Sequence, residues 1–328
     1  GNGNLPQGIK LPTGAVWTPC LWGFGTWRTA MQTYESVGAP GRNTELVTRL
    51  DLFANLNLTT TDKCIVGVAP LDKNRFTNFT RYSWESNQGE EGGRSEAGVF
   101  LRTAFCEGDF GSLFPNLDPE GNKFIDYGFS FGRQRIHFQE GTMINDFLDS
   151  VGIVRNNMHL PGLSNVRATG VYAWGSIDRG SPATRRRLNQ PGGLYGLFIQ
   201  ADDPTTTWGL DFISVDDDDQ ATGGDGMYIG LSAAQRAWTP WSRLASFNTT
   251  YRINASFAED TDTANVADGV LISAEISWTP HSSDDVVYIN PFYGFDRYTQ
   301  VSREPVVGGP LAPLGISFAS PSLGNHLS

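Results

Sequence analysis

Cysteine is scarce, with three residues (Cys20, Cys64, Cys106), widely spaced and without a CxxC pair. That count excludes a zinc ribbon and a full disulfide framework and leaves room for one bridge at most. Basic charge is equally short. Lys+Arg is 24 against 35 Asp+Glu, for a net charge of −11, and only Lys10, Lys63, Lys73 and Lys123 are lysines. Neutralising a phosphate backbone needs a basic surface, so nucleic acid is not an expected partner. No apolar run approaches the 18 or so residues of a transmembrane helix. Charged residues are 18% and hydrophobic ones 39%, which fits neither a disordered acidic chain nor a helical membrane protein. The four histidines (His137, His159, His281, His326) have no HExxH spacing, and no GxSxG or phosphate-binding loop occurs. An enzyme is therefore not expected. The opening GNGNLPQG is not a signal peptide, although a signal removed in maturation would leave no trace.

What the chain does have is 38 Gly, 9 Trp and 12% aromatics, a mixture that favours strands and tight turns. Residues 1–44 are rich in Gly and Pro and show no sustained alternation, so they read as an irregular N-terminal segment. The pattern changes after Glu45. Leu46, Thr48, Leu50, Leu52, Ala54, Leu56 and Leu58 alternate with residues that include Arg49, Asp51, Asn55 and Asn57. Period two recurs with Phe247, Tyr251, Ile253 and Phe257 against Arg252 and Asn254, and with Val270, Ile272 and Ile276 against Ser273 and Glu275. Weaker cases surround Arg102, Arg167 and Asp211.

About a dozen strands of roughly ten residues result. A soluble sandwich uses strands of about five or six residues, whereas tilted strands crossing a bilayer need about 9–11. Length therefore favours a barrel whose apolar face meets lipid and whose polar face lines a watery lumen. Trp84, Trp174, Trp208, Trp238, Trp241, Trp278, Tyr293 and Tyr298 lie near strand ends, as interfacial girdles do. On the lumen side this parity places Arg49, Asp51, Asn55, Arg102, Gln134, Arg167, Asp211, Arg252, Asn254 and Glu275. Opposed Arg and carboxylate groups there would sort solutes by charge; the plainer reading is the wetted face of any amphipathic sheet. Parity also predicts that Ile253→Arg impairs membrane assembly while Asn254→Arg is tolerated and changes ion selectivity.

The stretch YGFSFGRQRIHFQEGTMINDFLDSVGIVRNN (127–157) is the most specific. Its Gly132-Arg133-Gln134, Phe138-Gln139-Glu140-Gly141 and Ile144-Asn145-Asp146 resemble bacterial outer-membrane porins, including porin-like and alginate-export-like barrels. The resemblance implies an all-β, transmembrane antiparallel up-and-down β-barrel of about 12–16 strands over 45–328. It further implies an inward loop around 138–164 that places Arg133, Arg135, Asp146, Asp149 and Arg155 near a constriction. The terminal GNHLS lacks the aromatic end such barrels often carry, which suggests a chain incomplete at its C-terminus. The implied function is a channel in the bacterial outer membrane that passes small hydrophilic, charged solutes by diffusion. Alternatives are export of an anionic polysaccharide, a barrel sheathing or anchoring a partner protein, and a secreted carbohydrate-binding or hydrolytic β-sandwich. In the last, Trp22, Trp27 or Trp84 would stack on sugar rings. Expected partners are outer-membrane lipids, small solutes, and a further copy or partner protein at the N-terminal segment.

No cofactor is called for, with structural calcium as the one candidate. Asp216, Asp217, Asp218 and Asp219 followed by Asp225 offer oxygen ligands to a hard cation, without EF-hand spacing; a solvated acidic loop is the rival reading. Arg185-Arg186-Arg187 is a lone basic run with the same two interpretations.

Overall fold

The computed structural model describes residues 8–36, 39–72, 80–86, 91–95, 97–120, 125–175, 177, 192–217, 224–238, 245–259, 266–280 and 284–303. Two minimal strands come first, β1 (Ile9–Lys10) and β2 (Val16–Trp17). They precede β3 (Cys20–Ser36), β4 (Ala39–Asn57), β5 (Lys63–Ala69), β6 (Thr80–Glu85), β7 (Gly92–Arg94) and β8 (Phe100–Asp109). A one-turn helix, α1 (Phe110–Leu113), leads to β9 (Tyr127–Phe138), β10 (Ile144–Met158), β11 (Asn165–Trp174) and β12 (Gly192–Asp202). Next are β13 (Thr206–Asp217), β14 (Gly226–Trp238), β15 (Ala245–Ala258) and β16 (Gly269–Pro280). The last described strands are β17 (Val287–Ile289), β18 (Phe292–Asp296) and β19 (Ser302–Arg303). Among the described residues fourteen strands have five or more residues, within the expected range. The fold is the all-β, antiparallel up-and-down sheet of outer-membrane β-barrels.

The chain divides into two compact units, Gly1–Ile9 with Trp17–Cys106 and Pro305–Ser328, and Lys10–Val16 with Glu107–Glu304. In the first, β3 pairs with β4 along its whole length, from Cys20 opposite Asn57 to Ser36 opposite Ala39. The expectation of an irregular segment over 1–44 is thus corrected: most of it is β3 and the start of β4. Period two is hidden in β3 because both faces carry aromatics, Trp22 and Phe24 on one and Trp27 on the other, with Gly23 and Gly25 breaking the apolar row. Cys64 on β5 is joined to Cys106 on β8, while Cys20 is a free, exposed thiol.

β4 shows the two faces most clearly. Glu45, Arg49, Asp51 and Asn55 are buried while Leu46 and Leu52 are exposed. A soluble protein inverts this arrangement; a lipid-facing strand requires it, because hydrocarbon replaces the protein core as the apolar environment.

The second unit is a meander in which each strand from β9 to β16 pairs antiparallel with the next. β17 and β18 both pair with β16. Its lipid face carries Tyr195, Leu197, Phe212, Leu231, Ile253 and Ile272, all exposed. Ile253→Arg would place a charge in this belt at a cost of about 2–4 kcal/mol near mid-depth. Loss of heat-modifiable, folded protein in lipid vesicles is the expected readout, and normal folding would refute the assignment of this face. Tyr298 does not belong to the aromatic girdle: its hydroxyl donates to the Thr142 carbonyl at 3.0 Å and is raised above its usual pKa by burial.

The turn between β12 and β13 is closed by Asp203. Its carboxylate accepts from the Trp208 indole at 2.9 Å and from the Thr205 and Thr206 amides at 2.8 and 2.7 Å. These bonds, the indole foremost, favour the charged form and hold its pKa down to about 2. The lowered value means the turn is stabilised above the ordinary carboxylate pKa and loses that contribution as pH falls through about 2. Trp208→Phe should move the carboxyl titration of Asp203 upward, observable by carbon NMR in micelles; an unmoved midpoint would show that the indole has no part in it.

Candidate functional site

On the lumen face of the first unit, β3 and β4 set seven residue pairs opposite one another: Trp22–Asn55, Phe24–Phe53, Thr26–Asp51, Arg28–Arg49, Ala30–Val47, Gln32–Glu45 and Tyr34–Asn43. Mid-strand, Asp51 is the hub of an ion network. Arg28 Nη2 donates to Asp51 Oδ2 at 2.6 Å, and the Nε atoms of Arg49 and Arg102 each lie 3.4 Å from Oδ1. Arg49 also reaches Asp72 Oδ2 at 3.2 Å. Three guanidiniums thus meet two carboxylates. The Arg49 side chain is 2% exposed whereas Arg28 keeps 28%, so Arg49 is the internal strut and Arg28 the group that water and solutes meet. Arg81 of β6 faces Glu45 at 3.4 Å and extends the charged surface along the strand.

The lumen face of the second unit is different, because much of it is filled. After β9 the chain makes a 3-10 turn over Gln139–Gly141, with Gln139 and Glu140 at φ of 53° and 51°. Such left-handed backbone costs about 1–2 kcal/mol per non-glycine residue, so other contacts must hold it. They are present. Gln139 Nε2 donates to Asp211 Oδ2 of β13 at 2.6 Å, and the Thr142 hydroxyl donates to the Gln139 carbonyl at 2.6 Å. Asn254 Nδ2 of β15 donates to Thr142 Oγ1 at 2.9 Å. Gly230 of β14 makes room for the turn, since a Cβ there would lie 3.2 Å from both Gln139 Nε2 and Met143 Sδ.

Below the turn, Met143, Ile144 and Leu148 pack into a buried cluster with Leu194, Phe198, Ile213, Val215, Tyr228 and Val301. β19 joins this inner layer. It runs parallel to the start of β10, Val301 N donates to the Met143 carbonyl at 3.0 Å, and Ser302 Oγ donates to Asp146 Oδ2 at 2.6 Å.

Of the sequence-derived lumen residues, Arg49, Asp51, Arg102, Arg252 and Glu275 meet in ion pairs. Arg252 Nη1 lies 2.9 Å from Glu275 Oε1 and its Nη2 4.0 Å from Glu140. Arg167 hydrogen-bonds Gln200 on the lumen face. The group inferred from the 127–157 stretch needs correction. Only Asp146 points inward. Arg133 with Asp149, at 3.2 Å, and Arg135 with Asn145 share the outward parity of Phe131, Val151 and Ile153. Arg155 lies at the far end of β10, over the Tyr127 ring at 4.6 Å, with its Nη1 bonded to the Asp126 carbonyl. The inward segment is shorter than 138–164, because 144–158 is a strand of 15 residues. The strand was masked in sequence by polar side chains at both parities, some inside and some above the lipid belt.

The expected tolerance of Asn254→Arg also fails on structural grounds. Asn254 is fully buried against the inward turn, so an arginine there has no space. Arg28, Asp72 and Ser302 were missed. Arg28 carried a signal, namely its even parity with Trp22 and Phe24. Of the acidic candidates for calcium, Asp217 N bonds Asp225 Oδ1 at 2.8 Å. Asp216 points to the lipid-side parity of β13, Asp218 and Asp219 lie outside the described residues, and no cluster of three metal-ligating side chains occurs among the described residues. Arg185, Arg186 and Arg187 also lie outside them.

No protein-family model matches the chain, and no curated protein does. Among solved structures it is similar to OmpTdeltaL8, a loop L8 deletion mutant of OmpT, an outer membrane protein of Vibrio cholerae. That likeness covers 84% of this chain and 93% of the other, at 11% identity and a TM-score of 0.35.

Proposed function

We propose that the protein is a channel of the bacterial outer membrane that passes small hydrophilic solutes by diffusion along a charged lumen wall. The observation that carries this reading is the Arg28–Asp51–Arg49–Asp72–Arg102 network on a face whose reverse side is a lipid belt. Charges are held on the lumen face at the expense of desolvation, and one of them, Arg28, stays open to water. Fixed opposed charges of this kind order water and select solutes by charge and size. Catalysis forms no part of the reading. The inner layer built on Gln139–Leu148 and Val301–Ser302 supports a narrow channel over a wide one, because it occupies lumen face that would otherwise be wet.

The test is single-channel recording of detergent-extracted protein in planar bilayers, with the reversal potential taken under a salt gradient. Stepwise conductance with a preferred ion sign is expected. Protein that inserts and folds in vesicles yet never conducts would overturn the channel and point to a sheath for a partner.

A further inference from the structure

After β8 the chain is laid over the lipid face of the wall. Asp109 caps α1 by accepting from the Ser112 amide at 3.0 Å, and Phe110 packs on Phe129 of β9 with ring centroids 4.8 Å apart. Phe129 has the outward parity of Phe131 and lies opposite Ile153 of β10. This strap is pinned at its other end. The Asn116 amide and side chain donate to the Thr13 and Pro12 carbonyls, both at 3.3 Å, and a Cβ at Gly14 would come within 2.3 Å of Asn116 Oδ1. Between strap and wall, Phe110, Phe114, Leu117, Ile125, Tyr127 and Ile153 enclose a cleft of 310 Å³ lined by apolar surface alone. On the other side of Ile153 is a second cleft of 510 Å³, with Gly170 as its floor and Tyr172, Tyr195, Leu197 and Phe212 around it. That floor is open, since a Cβ on Gly170 would meet only the Ile153 side chain, at 3.7 Å. Ile153, half exposed, is therefore a ridge between two apolar furrows. Arg155 stands two residues beyond it on the same face, about 7 Å along the strand, with its guanidinium over the Tyr127 ring at 4.6 Å.

We infer that the two furrows and Arg155 form a binding site for one phospholipid whose headgroup carries a phosphate and a primary ammonium. Its two acyl chains straddle Ile153, one in each furrow, and its phosphate accepts from Arg155. Hydrocarbon covers any lipid face, but this stretch of wall is shaped before a lipid arrives: a pinned strap walls one furrow, a glycine floors the other, and a cation stands at the end of the ridge between them. A preformed concave site spares the lipid part of the ordering cost that a smooth wall imposes. The headgroup follows from the surroundings of Arg155. Asp126, whose carbonyl accepts from Arg155 Nη1 at 3.3 Å, and Asp118, next in the chain to the lining Leu117, are its acidic neighbours. They oppose a purely anionic headgroup, whereas an ammonium beside the phosphate donates to them. The site is independent of what crosses the lumen.

The test is native mass spectrometry of the detergent-extracted protein titrated with dioleoyl phosphatidylethanolamine. One lipid should bind saturably and survive activation that strips the rest. Arg155→Gln should weaken that first binding at least about tenfold, as loss of a charge-assisted hydrogen bond does. Gly170→Leu should weaken it comparably by filling one furrow from a lipid-facing position where the wall has room, and it serves where the Arg155 variant fails to fold. Ile272→Ala, on the lipid face of β16 and part of neither furrow, should change nothing. Dioleoyl phosphatidylglycerol, which has the phosphate without the ammonium, and the single-chain lysophosphatidylethanolamine should both bind more weakly than the two-chain ethanolamine lipid. The site is overturned if lipids bind with no distinct first step, if phosphatidylglycerol binds as tightly, or if either Arg155→Gln or Gly170→Leu keeps the wild-type affinity in protein that migrates as a folded barrel.

Discussion

Asp51→Ala should convert the channel to strong anion preference and destabilise the fold. Asp51 is the common partner of Arg28, Arg49 and Arg102; without it three guanidiniums face one another, with Asp72 left to Arg49 alone. Removing one partner of a buried charge set costs about 3–5 kcal/mol, because the desolvated partners lose their compensation. Arg28, the exposed member, can turn toward water, which reduces the loss and at the same time adds positive potential to the path of the ions. The reversal potential in a salt gradient should shift toward the anion value, and the thermal transition in micelles should fall. Asp51→Glu should restore selectivity and only part of the stability, since the longer side chain keeps the charge and loses the geometry. Conductance with an unaltered reversal potential in Asp51→Ala would show that the network lies off the ion path.

The second large effect belongs to the inner layer of the other unit. Leu148 is fully buried within the cluster beneath the inward turn, and Leu148→Ala should cost about 2–5 kcal/mol through lost transfer energy plus an unfilled cavity. Val151→Ala is the matched control: it lies on the same strand three residues on, outward and 44% exposed. Acyl chains close over a truncated lipid-facing side chain, so its cost should be small. The two variants compared by thermal unfolding in vesicles report whether the lumen side of this unit is packed like a protein interior. Equal losses would mean that it is not.

Much was legible in the sequence because a barrel strand must alternate: one face meets hydrocarbon and the other does not, so period two survives wherever both conditions hold along the whole strand. β15 and β16 satisfy them, and Arg252, Glu275 and Ile253 lie where alternation placed them. β4 does as well, which is why Arg49 and Asp51 were found. Alternation fails where the lumen face is itself apolar. In β3 the inward Trp22 and Phe24 look no different in sequence from the outward Trp27, and the strand disappears into an apparently irregular segment. In β10 the inward row Ile144, Asp146, Leu148 and Ser150 mixes core and hydrogen-bonding residues, while the outward row begins with Asn145, Phe147 and Asp149, polar and apolar by turns.

The sequence by itself determined an all-β, lipid-belted, antiparallel fold with a charged lumen wall, because exclusion of charge from hydrocarbon acts on every residue of a spanning strand independently. Tertiary structure alone decided which charges meet and where the lumen is filled. The Asp51 network joins residues from β3, β4 and β8 and a bridge residue beyond β5, and the inward turn is held by Asp211, Asn254 and Tyr298, far away in the chain. Such contacts depend on strand register and on a cross-lumen approach that Gly230 permits, and neither leaves a local pattern in the order of residues.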